Sequence, residues 1–332
     1  MPRIVNVPPT LLALALATSA AQAQRPADSP TVAYVTNEGS RTVSVIDLAS
    51  RRVVATIPMG ARPRGLHLSP DGRRLYVALS DDRPNVQGGD DAIAEIDVAT
   101  RRIVARHRAG SDPEQFGITP DGRSLIAANE DAGTASLIDL ATNRELATLI
   151  VGIEPEGVAV SPDGRLAFVT AETSNSVSIV DMAARAVVAN LLVDVRPRAA
   201  AFSPDGRRAY VSAEIGGTLT VIDVARREAI ATIELDGLEG KPVGVVVSPD
   251  GSRVYVANGA TGRVSVVDAR ANRVIGSVQV GRRPWGLALS RDGRWLYSAN
   301  GLSHDVSIVD TQALRTVGRI PVGERPWGVA VH

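Results

Sequence analysis

The stretch RPRAAAFSPDGRRAYVSAEIGGTLTVIDVARREAIATIEL, residues 196–235, decides the fold. Its β-branched and aromatic runs predict four short strands at residues 198–202, 209–213, 218–222 and 229–233, which we call A to D. Polar turns separate them: Ser-Pro-Asp-Gly lies between A and B, and an aspartate follows C. Four strands of about five residues and their turns leave no room for a helix.

This unit recurs seven times along the chain. Each copy begins with a loop of the form x-Pro-x-Gly, in which the glycine is sometimes replaced, and the prolines follow one another at spacings of 50, 42, 42, 45, 42 and 42 residues. The prolines are Pro63, Pro113, Pro155, Pro197, Pro242, Pro284 and Pro326. Four-stranded units at this spacing are typical of the blades of a β-propeller.

The two ends of the sequence predict how the ring closes. The chain stops at His332 after a strand A, and its first strand, at residues 33–37, has the pattern of a strand B. We therefore expect an all-β, seven-bladed propeller over residues 31–332, with four antiparallel strands per blade. Its N- and C-terminal strands pair in one shared blade, which removes the last free sheet edge.

The first 30 residues have the pattern of an export signal. Arg3 precedes the apolar run LLALALA at residues 11–17, and Ala21-Gln22-Ala23 forms a small-x-small cleavage site. This run is too short for a membrane helix, which needs roughly 20 residues. We predict a signal peptide at residues 1–23, a polar leader at 24–30, and a periplasmic protein without a membrane span.

The composition excludes several classes of function. Lys and Arg together number 36, as do Asp and Glu, and aromatic residues make up 3%, which argues against a nucleic-acid binder. Cysteine is absent, which excludes disulfides, thiolate metal sites and a cysteine nucleophile. The motifs G-x-S-x-G and H-E-x-x-H are also absent. We predict no catalytic residue and no metal site, and the sequence leaves open whether the protein is an enzyme.

Strand direction predicts which loops share a face. Strand A runs away from the x-Pro-x-Gly loop and strand B returns, so the D–A and B–C loops lie together on one face, which we call the mouth face. The Ser-Pro-Asp-Gly and aspartate turns lie on the opposite face, the turn face. The turn aspartates recur in every unit, so we assign them to hairpin turns and look for function where the repeats differ.

The residues that flank the prolines do differ, and they place charge and aromatic rings at the mouth. One interpretation is a solvated rim of ion pairs, each worth little. The other is a polarised mouth that docks a charged protein or binds a small anionic ligand. The candidate binding residues are Arg62, Arg64, Glu114, Glu156, Arg196, Arg198, Arg283, Trp285, Arg325 and Trp327. The ends of strand B add Glu38, Glu130, Glu172 and Glu214.

Three further features are open to two interpretations each. His67 lies near the axis where other blades have smaller residues, and it is either a cofactor ligand or a packed side chain. Trp285 and Trp327 form a platform for a ligand or fill the gap between blades. Residues 81–90 lengthen one B–C loop; their acidic residues match no EF-hand spacing, and we interpret the segment as a mobile flap.

Tyr34-Val35-Thr36-Asn37 is the signature of the YVTN β-propeller repeat proteins, and it is echoed in Tyr255-Val256-Ala257-Asn258. A narrower set of motifs resembles the exported β-propellers associated with catabolism dependent on pyrroloquinoline quinone (PQQ). These motifs are PEQF at residues 113–116, ANED at 128–131, VGIEPEG at 151–157, AEIGG at 213–217 and RPWG at 325–328.

The resemblance implies a non-enzymatic, monomeric binding or scaffold protein in periplasmic quinoprotein alcohol oxidation. Its expected partner is a quinoprotein dehydrogenase or its cytochrome, and no cofactor, including PQQ itself, is expected to bind directly. One alternative is a lactonase-like hydrolase, because some seven-bladed propellers open lactones with acidic and basic residues at the channel mouth. A second alternative is a propeller that binds a cofactor such as haem d1. Fold alone does not decide among them.

Overall fold

A computed structural model of the chain describes residues 1, 32–81, 91–237 and 239–332. Within these residues it has seven four-stranded antiparallel sheets and no helix, so the predicted all-β, seven-bladed propeller is confirmed. No described helix is long and apolar enough to cross a membrane. Apart from Met1 and Asp81, the predicted signal peptide, the leader and segment 81–90 lie outside the described residues.

The strands, numbered in chain order, are β1 (Val32–Asn37), β2 (Thr42–Asp47), β3 (Arg52–Pro58), β4 (Arg62–Leu68), β5 (Arg74–Ser80), β6 (Ala92–Asp97), β7 (Arg102–His107), β8 (Pro113–Ile118), β9 (Ser124–Asn129), β10 (Thr134–Asp139), β11 (Arg144–Ile150), β12 (Pro155–Val160), β13 (Leu166–Ala171), β14 (Ser176–Asp181), β15 (Ala186–Leu192), β16 (Pro197–Phe202), β17 (Arg208–Ala213), β18 (Thr218–Asp223), β19 (Glu228–Glu234), β20 (Pro242–Val247), β21 (Arg253–Asn258), β22 (Arg263–Asp268), β23 (Arg273–Gln279), β24 (Pro284–Leu289), β25 (Trp295–Asn300), β26 (Asp305–Asp310), β27 (Arg315–Pro321) and β28 (Pro326–Val331).

Blade 1 is the shared blade, with the strand order β28-β1-β2-β3, and blades 2 to 7 follow in chain order from β4 to β27. In blade 1, Val35 pairs with Val329 and Ala33 with Val331. The Thr36 hydroxyl accepts a hydrogen bond from the backbone N–H of Gly328 at 2.9 Å and donates one to the carbonyl of Arg64 in blade 2 at 2.7 Å. The closing strand is therefore tied both to its own sheet and to the next blade.

The turn aspartates have the structural role that the repeats predict. In the first A–B turn, Asp71 accepts hydrogen bonds from the Ser69 hydroxyl at 2.6 Å and from the Arg73 N–H at 3.0 Å. Gly72 has φ +70° there, a conformation that glycine adopts at little cost. In the first C–D turn, Asp47 accepts the N–H of Ser50. The same contacts recur around the ring, which leaves the turn face uniform and the mouth face variable.

The apolar core lies between neighbouring sheets, and the inner strands A surround a central channel. The core cluster between blades 1 and 2, for example, joins Val45 and Ile57 to Leu75, Val77 and Ile96. Nearer the axis the strands are too close for side chains on one face. A Cβ on Gly157 would lie 2.1 Å from the carbonyl oxygen of Arg198, and a Cβ on Gly244 equally close to that of Trp285. The glycine of x-Pro-x-Gly therefore makes room for the backbone of the next blade.

We expect Gly157→Ala to lower the free energy of unfolding by about 1–3 kcal/mol, because the new methyl group overpacks the contact between β12 and β16. Gly276→Ala, in the outer strand β23, is the matched control, since its Cβ would meet nothing closer than a Leu314 methyl group at 3.5 Å. Urea unfolding of both variants measures the difference. Equal stability would contradict the close approach of the inner strands.

Candidate functional site

The x-Pro-x-Gly loops have an unusual backbone. In six of the seven loops the residue before the proline has a left-handed conformation, with φ between 49° and 61°; these residues are Asp112, Glu154, Arg196, Lys241, Arg283 and Arg325. Non-glycine residues rarely adopt this conformation, and proline pushes the preceding residue towards an extended one. Strain of this kind clusters at functional sites.

A backbone hydrogen bond explains what holds this conformation. The carbonyl of the residue before each of these prolines accepts the N–H of the residue that follows strand B in the same blade, as in Glu172 to Glu154 at 2.9 Å and Glu214 to Arg196 at 2.8 Å. The D–A and B–C loops therefore lie on one face, as predicted. The bond also places the carboxylate at the end of strand B beside the proline loop.

The residue after each proline belongs to a ring around the mouth, which we call the inner ring. In order around the channel it consists of Arg64, Glu114, Glu156, Arg198, Val243, Trp285 and Trp327. The residue that follows each member of the ring packs against the backbone of the next blade. Each member of the ring is therefore brought close to the next member. The ring thus has charged members in blades 2 to 5 and apolar members in blades 6, 7 and 1.

Arg198 is the centre of the first ionic cluster. Its guanidinium contacts the carboxylates of Glu156 and Glu172 from blade 4, and its Nε donates to Glu214 at 2.6 Å. Arg196 lies 2.7 Å from Glu172 and 3.3 Å from Glu214. The side chain of Arg198 is 11% exposed and that of Arg196 is 43% exposed. Two arginines therefore face three buried carboxyls here, so one negative charge is left without a matching positive charge when all three are ionised.

Arg64 is the centre of the second ionic cluster. Its guanidinium contacts Glu114 of blade 3, and its Nε lies 3.5 Å from Glu38 of blade 1. Arg62 lies 3.3 Å from Glu38 and 3.4 Å from Asp112, and it donates to the carbonyl of Asp81 at 2.9 Å. The base of the lengthened loop joins this cluster, since Asp91 accepts the N–H groups of Asp81 and Asp112.

The apolar part of the inner ring is a pair of tryptophans. The rings of Trp285 and Trp327 are 5.8 Å apart and tilted by 40°. The Arg283 guanidinium lies 4.8 Å from the centre of the Trp285 ring, and that of Arg198 lies 5.3 Å from it. Trp327 is buried, whereas Trp285 is partly exposed. Trp327 is therefore enclosed by protein, whereas Trp285 packs on the core between blades 6 and 7 and also has two guanidinium groups close to its ring.

Below the mouth, strands A line a cavity of about 330 Å³. His67 projects into it, and the His67 ring packs edge-on against Phe116 at 5.1 Å. Its side chain is reached by solvent through the channel, yet protein surrounds it, and burial lowers the pKa of His67 to about 4. The imidazole is thus neutral at pH 7. Its role as a cofactor ligand stays a prediction.

Three glutamates at the mouth, like Asp91 at the base of the lengthened loop, have raised pKa values, each mainly because burial disfavours the charged form. The pKa of Glu172 rises to about 7; Arg196 opposes the rise, while Glu214 and Glu154 add to it. The pKa of Glu114 rises well above its usual range, opposed by Arg64 and promoted by the adjacent carboxyl of Glu130. Burial also raises the pKa of Glu130. Shifts of this kind in a cleft indicate a candidate functional site.

The structure brings together most of the residues that the sequence singles out, but several of them are less exposed to solvent than expected. An exposed rim was one expectation, and it holds for Arg325. Glu114 and Glu156 are 1% and 4% exposed, so the acidic members of the inner ring are buried. The sequence analysis did not predict the contacts of Asp81 and Asp91 at the mouth. The lengthened loop shifts these two residues out of the spacing that the repeats share, so they do not align with the other acidic residues.

Comparison with known proteins places the chain in a described family. The family model described as "Lactonase, 7-bladed beta-propeller" matches residues 25–155 and 188–324, well over half of the chain. No curated protein matches the chain significantly.

Among solved structures, the propeller is similar to hydrazine synthase of Kuenenia stuttgartiensis at 20% identity and a TM-score of 0.76, covering 88% of this chain and 98% of that one. It is also similar to a functionally unknown protein of Desulfotomaculum acetoxidans at 19% identity and a TM-score of 0.78, covering 91% and 98%. The dihydro-haem d1 dehydrogenase NirN matches at 18% identity and a TM-score of 0.68, covering 95% and 78%. At these identities the likeness concerns the fold alone.

The raised pKa of Glu172 predicts a pH dependence of stability. The unfolded carboxyl titrates near 4.5 and the folded one near 7, so the folded state binds more protons between these values. The proton on Glu172 therefore contributes about 3 kcal/mol to the free energy of unfolding. This contribution is complete below pH 4.5 and is lost as the pH rises through 7. We expect urea unfolding to show a smaller difference between pH 5 and pH 7.5 in Glu172→Gln than in the wild type. The exposed Glu228→Gln is the control, and equal slopes in all three proteins would refute the assignment.

Proposed function

This chain belongs to the lactonase family of seven-bladed β-propellers, and from that membership we propose that it hydrolyses a lactone at the channel mouth. The observation that supports this most directly is the Arg198 cluster, in which a buried carboxyl with a pKa of about 7 lies against two guanidinium groups. General acid–base catalysis works best when the pKa of the catalytic group lies near the working pH.

The reaction needs one proton acceptor and one site of positive charge. Water attacks the carbonyl carbon of the lactone, the ring C–O bond breaks, and a hydroxy acid forms. In the proposed roles, Glu172 accepts the proton of the attacking water and returns a proton to the leaving alkoxide oxygen. Arg198 stabilises the negative charge that develops on the carbonyl oxygen.

The exposure of the cluster indicates how a substrate would enter. Arg196 is its exposed member and lies 2.7 Å from Glu172, which is itself buried. A substrate with an anionic substituent would pair with Arg196 and draw it away from Glu172, because guanidinium binds carboxylate and phosphate in a two-pronged geometry. We therefore favour a lactone that carries an acidic group.

Turnover of γ- and δ-lactones with and without a carboxylate or phosphate tests this function. We expect wild-type activity to rise with pH through about 7 and Glu172→Gln to reduce kcat/KM by about 10²–10⁴-fold. The exposed Glu228→Gln should retain wild-type activity. Failure to open any lactone, or full activity of Glu172→Gln, would exclude the proposal.

A second candidate is a non-enzymatic binding protein, exported through residues 1–23 to the periplasm and serving PQQ-dependent alcohol oxidation. The observation that favours it is an arc of exposed basic residues on the mouth face, Lys241, Arg282 and Arg325 in blades 6, 7 and 1, between which the same loops also expose Asp236, Glu239 and Glu324. In these blades the inner ring has no acid. An acidic surface of a quinoprotein dehydrogenase or of its cytochrome would complement this arc.

Reversing Lys241, Arg282 and Arg325 to glutamate should reduce recovery of the dehydrogenase or cytochrome from alcohol-grown host cells at least tenfold. The control reverses Arg73, Arg123 and Arg207, which are exposed on the turn face and change the net charge equally. Equal recovery by both triple variants would count against docking at the mouth. The haem d1 alternative depends on His67 and stays a prediction.

A further inference from the structure

Blades 3 and 4 carry equivalent acidic triads that differ in how they are neutralised. The triad of blade 3 is Asp112, Glu114 and Glu130, and the triad of blade 4 is Glu154, Glu156 and Glu172. Each consists of the two residues that flank the proline and the residue that follows strand B. Because the backbone geometry is the same in both blades, the ion pairs of the two triads can be compared directly.

The four carboxylates that follow strand B differ in whether an arginine reaches them. Glu38 of blade 1 contacts Arg62 and Arg64 of blade 2, and Glu172 of blade 4 contacts Arg196 and Arg198 of blade 5. Glu214 contacts the same two arginines within its own blade 5. Glu130 of blade 3 differs, because its own proline loop has Asp112 and Glu114 and the proline loop of the following blade has Glu154 and Glu156. Among the described residues, no arginine or lysine forms an ion pair with Glu130.

The oxygen atoms of the blade 3 triad converge. Asp112, Glu114 and Glu130 each contribute a carboxylate oxygen, and these oxygens lie within 4.8 Å of one another. Glu114 is 1% exposed, and within the described residues neither of its oxygens accepts a hydrogen bond of normal geometry. Its contact with Arg64 leaves lone pairs free, since a carboxylate offers about four acceptor positions. A buried, incompletely satisfied carboxylate is costly unless it takes up a proton, as the raised pKa of Glu114 indicates in the absence of a ligand, or another positive group joins it.

From this geometry we propose that the mouth of blade 3 binds a divalent cation, with Asp112, Glu114 and Glu130 as its protein ligands. Three oxygen ligands and no nitrogen or sulfur suit a hard cation. Calcium binds oxygens at about 2.3–2.6 Å and so bridges oxygens up to about 5 Å apart, whereas magnesium spans about 4.2 Å and demands a regular octahedron. Calcium is therefore the cation that the triad fits best. This site is independent of whether the protein hydrolyses lactones.

Calcium titration of the full chain after treatment with a chelator tests the proposal. We expect saturable binding of one calcium ion by calorimetry and a calcium-dependent rise in melting temperature, because a ligand that binds the folded state stabilises it. Glu130→Gln should weaken calcium binding at least tenfold. The matched control is Glu172→Gln, which removes the same charge at the equivalent position of blade 4 and should change the affinity less than threefold.

Glu130→Asp keeps the negative charge and is the second variant to use if Glu130→Gln does not fold. It should bind calcium more weakly than the wild type and more tightly than Glu130→Gln. No saturable binding at 5 mM calcium would overturn the proposal, and so would an equal loss in Glu130→Gln and Glu172→Gln, which would show a diffuse effect of charge. Tighter binding of magnesium than of calcium would refute the choice of cation.

Discussion

The close approach of the seven inner strands is the constraint on which the rest of the molecule depends. Where a Cβ on Gly157 would lie 2.1 Å from the carbonyl oxygen of Arg198, the backbones of blades 4 and 5 are in contact. The residue after each proline is then forced beside its counterpart in the next blade. This contact builds the inner ring, and the ring brings Arg64 to Glu114 and Arg198 to Glu156. The packing that closes the propeller thus also assembles the charged mouth.

The fold was predictable from the sequence because each blade repeats the same pattern of strand and turn residues. The four strands predicted for residues 198–233 differ from β16 to β19 by one residue at their ends. The pairing of Val35 with Val329 in the shared blade likewise follows from the phase of the repeat at the two ends of the chain. Seven copies of a weak pattern act as seven observations of it, which is why short strands could be placed so closely.

The identity of the mouth residues was also predictable, but their environment was not. A proline predicts an extended residue before it, whereas Arg196 has φ 61° because its carbonyl accepts the N–H of Glu214. That bond joins two loops 18 residues apart in sequence, so no local pattern reveals it. Burial of Glu114 and Glu156 depends on the lateral approach of neighbouring blades, and this too is a contact between repeats that the repeat itself does not encode.

The repeats also show that a blade can fold without buried charges at the mouth. Blade 6 has Val243 at the inner ring and Gly259 after strand B, the positions that hold Glu156 and Glu172 in blade 4, and its sheet has the same four strands and the same loop hydrogen bond. A blade can therefore form with an apolar residue and a glycine there. Buried ion pairs often contribute less to stability than apolar packing of similar volume. The charges of blades 2 to 5 thus add a desolvation cost that blade 6 avoids, and a role in binding or chemistry at the mouth accounts for them better than a role in holding the ring together.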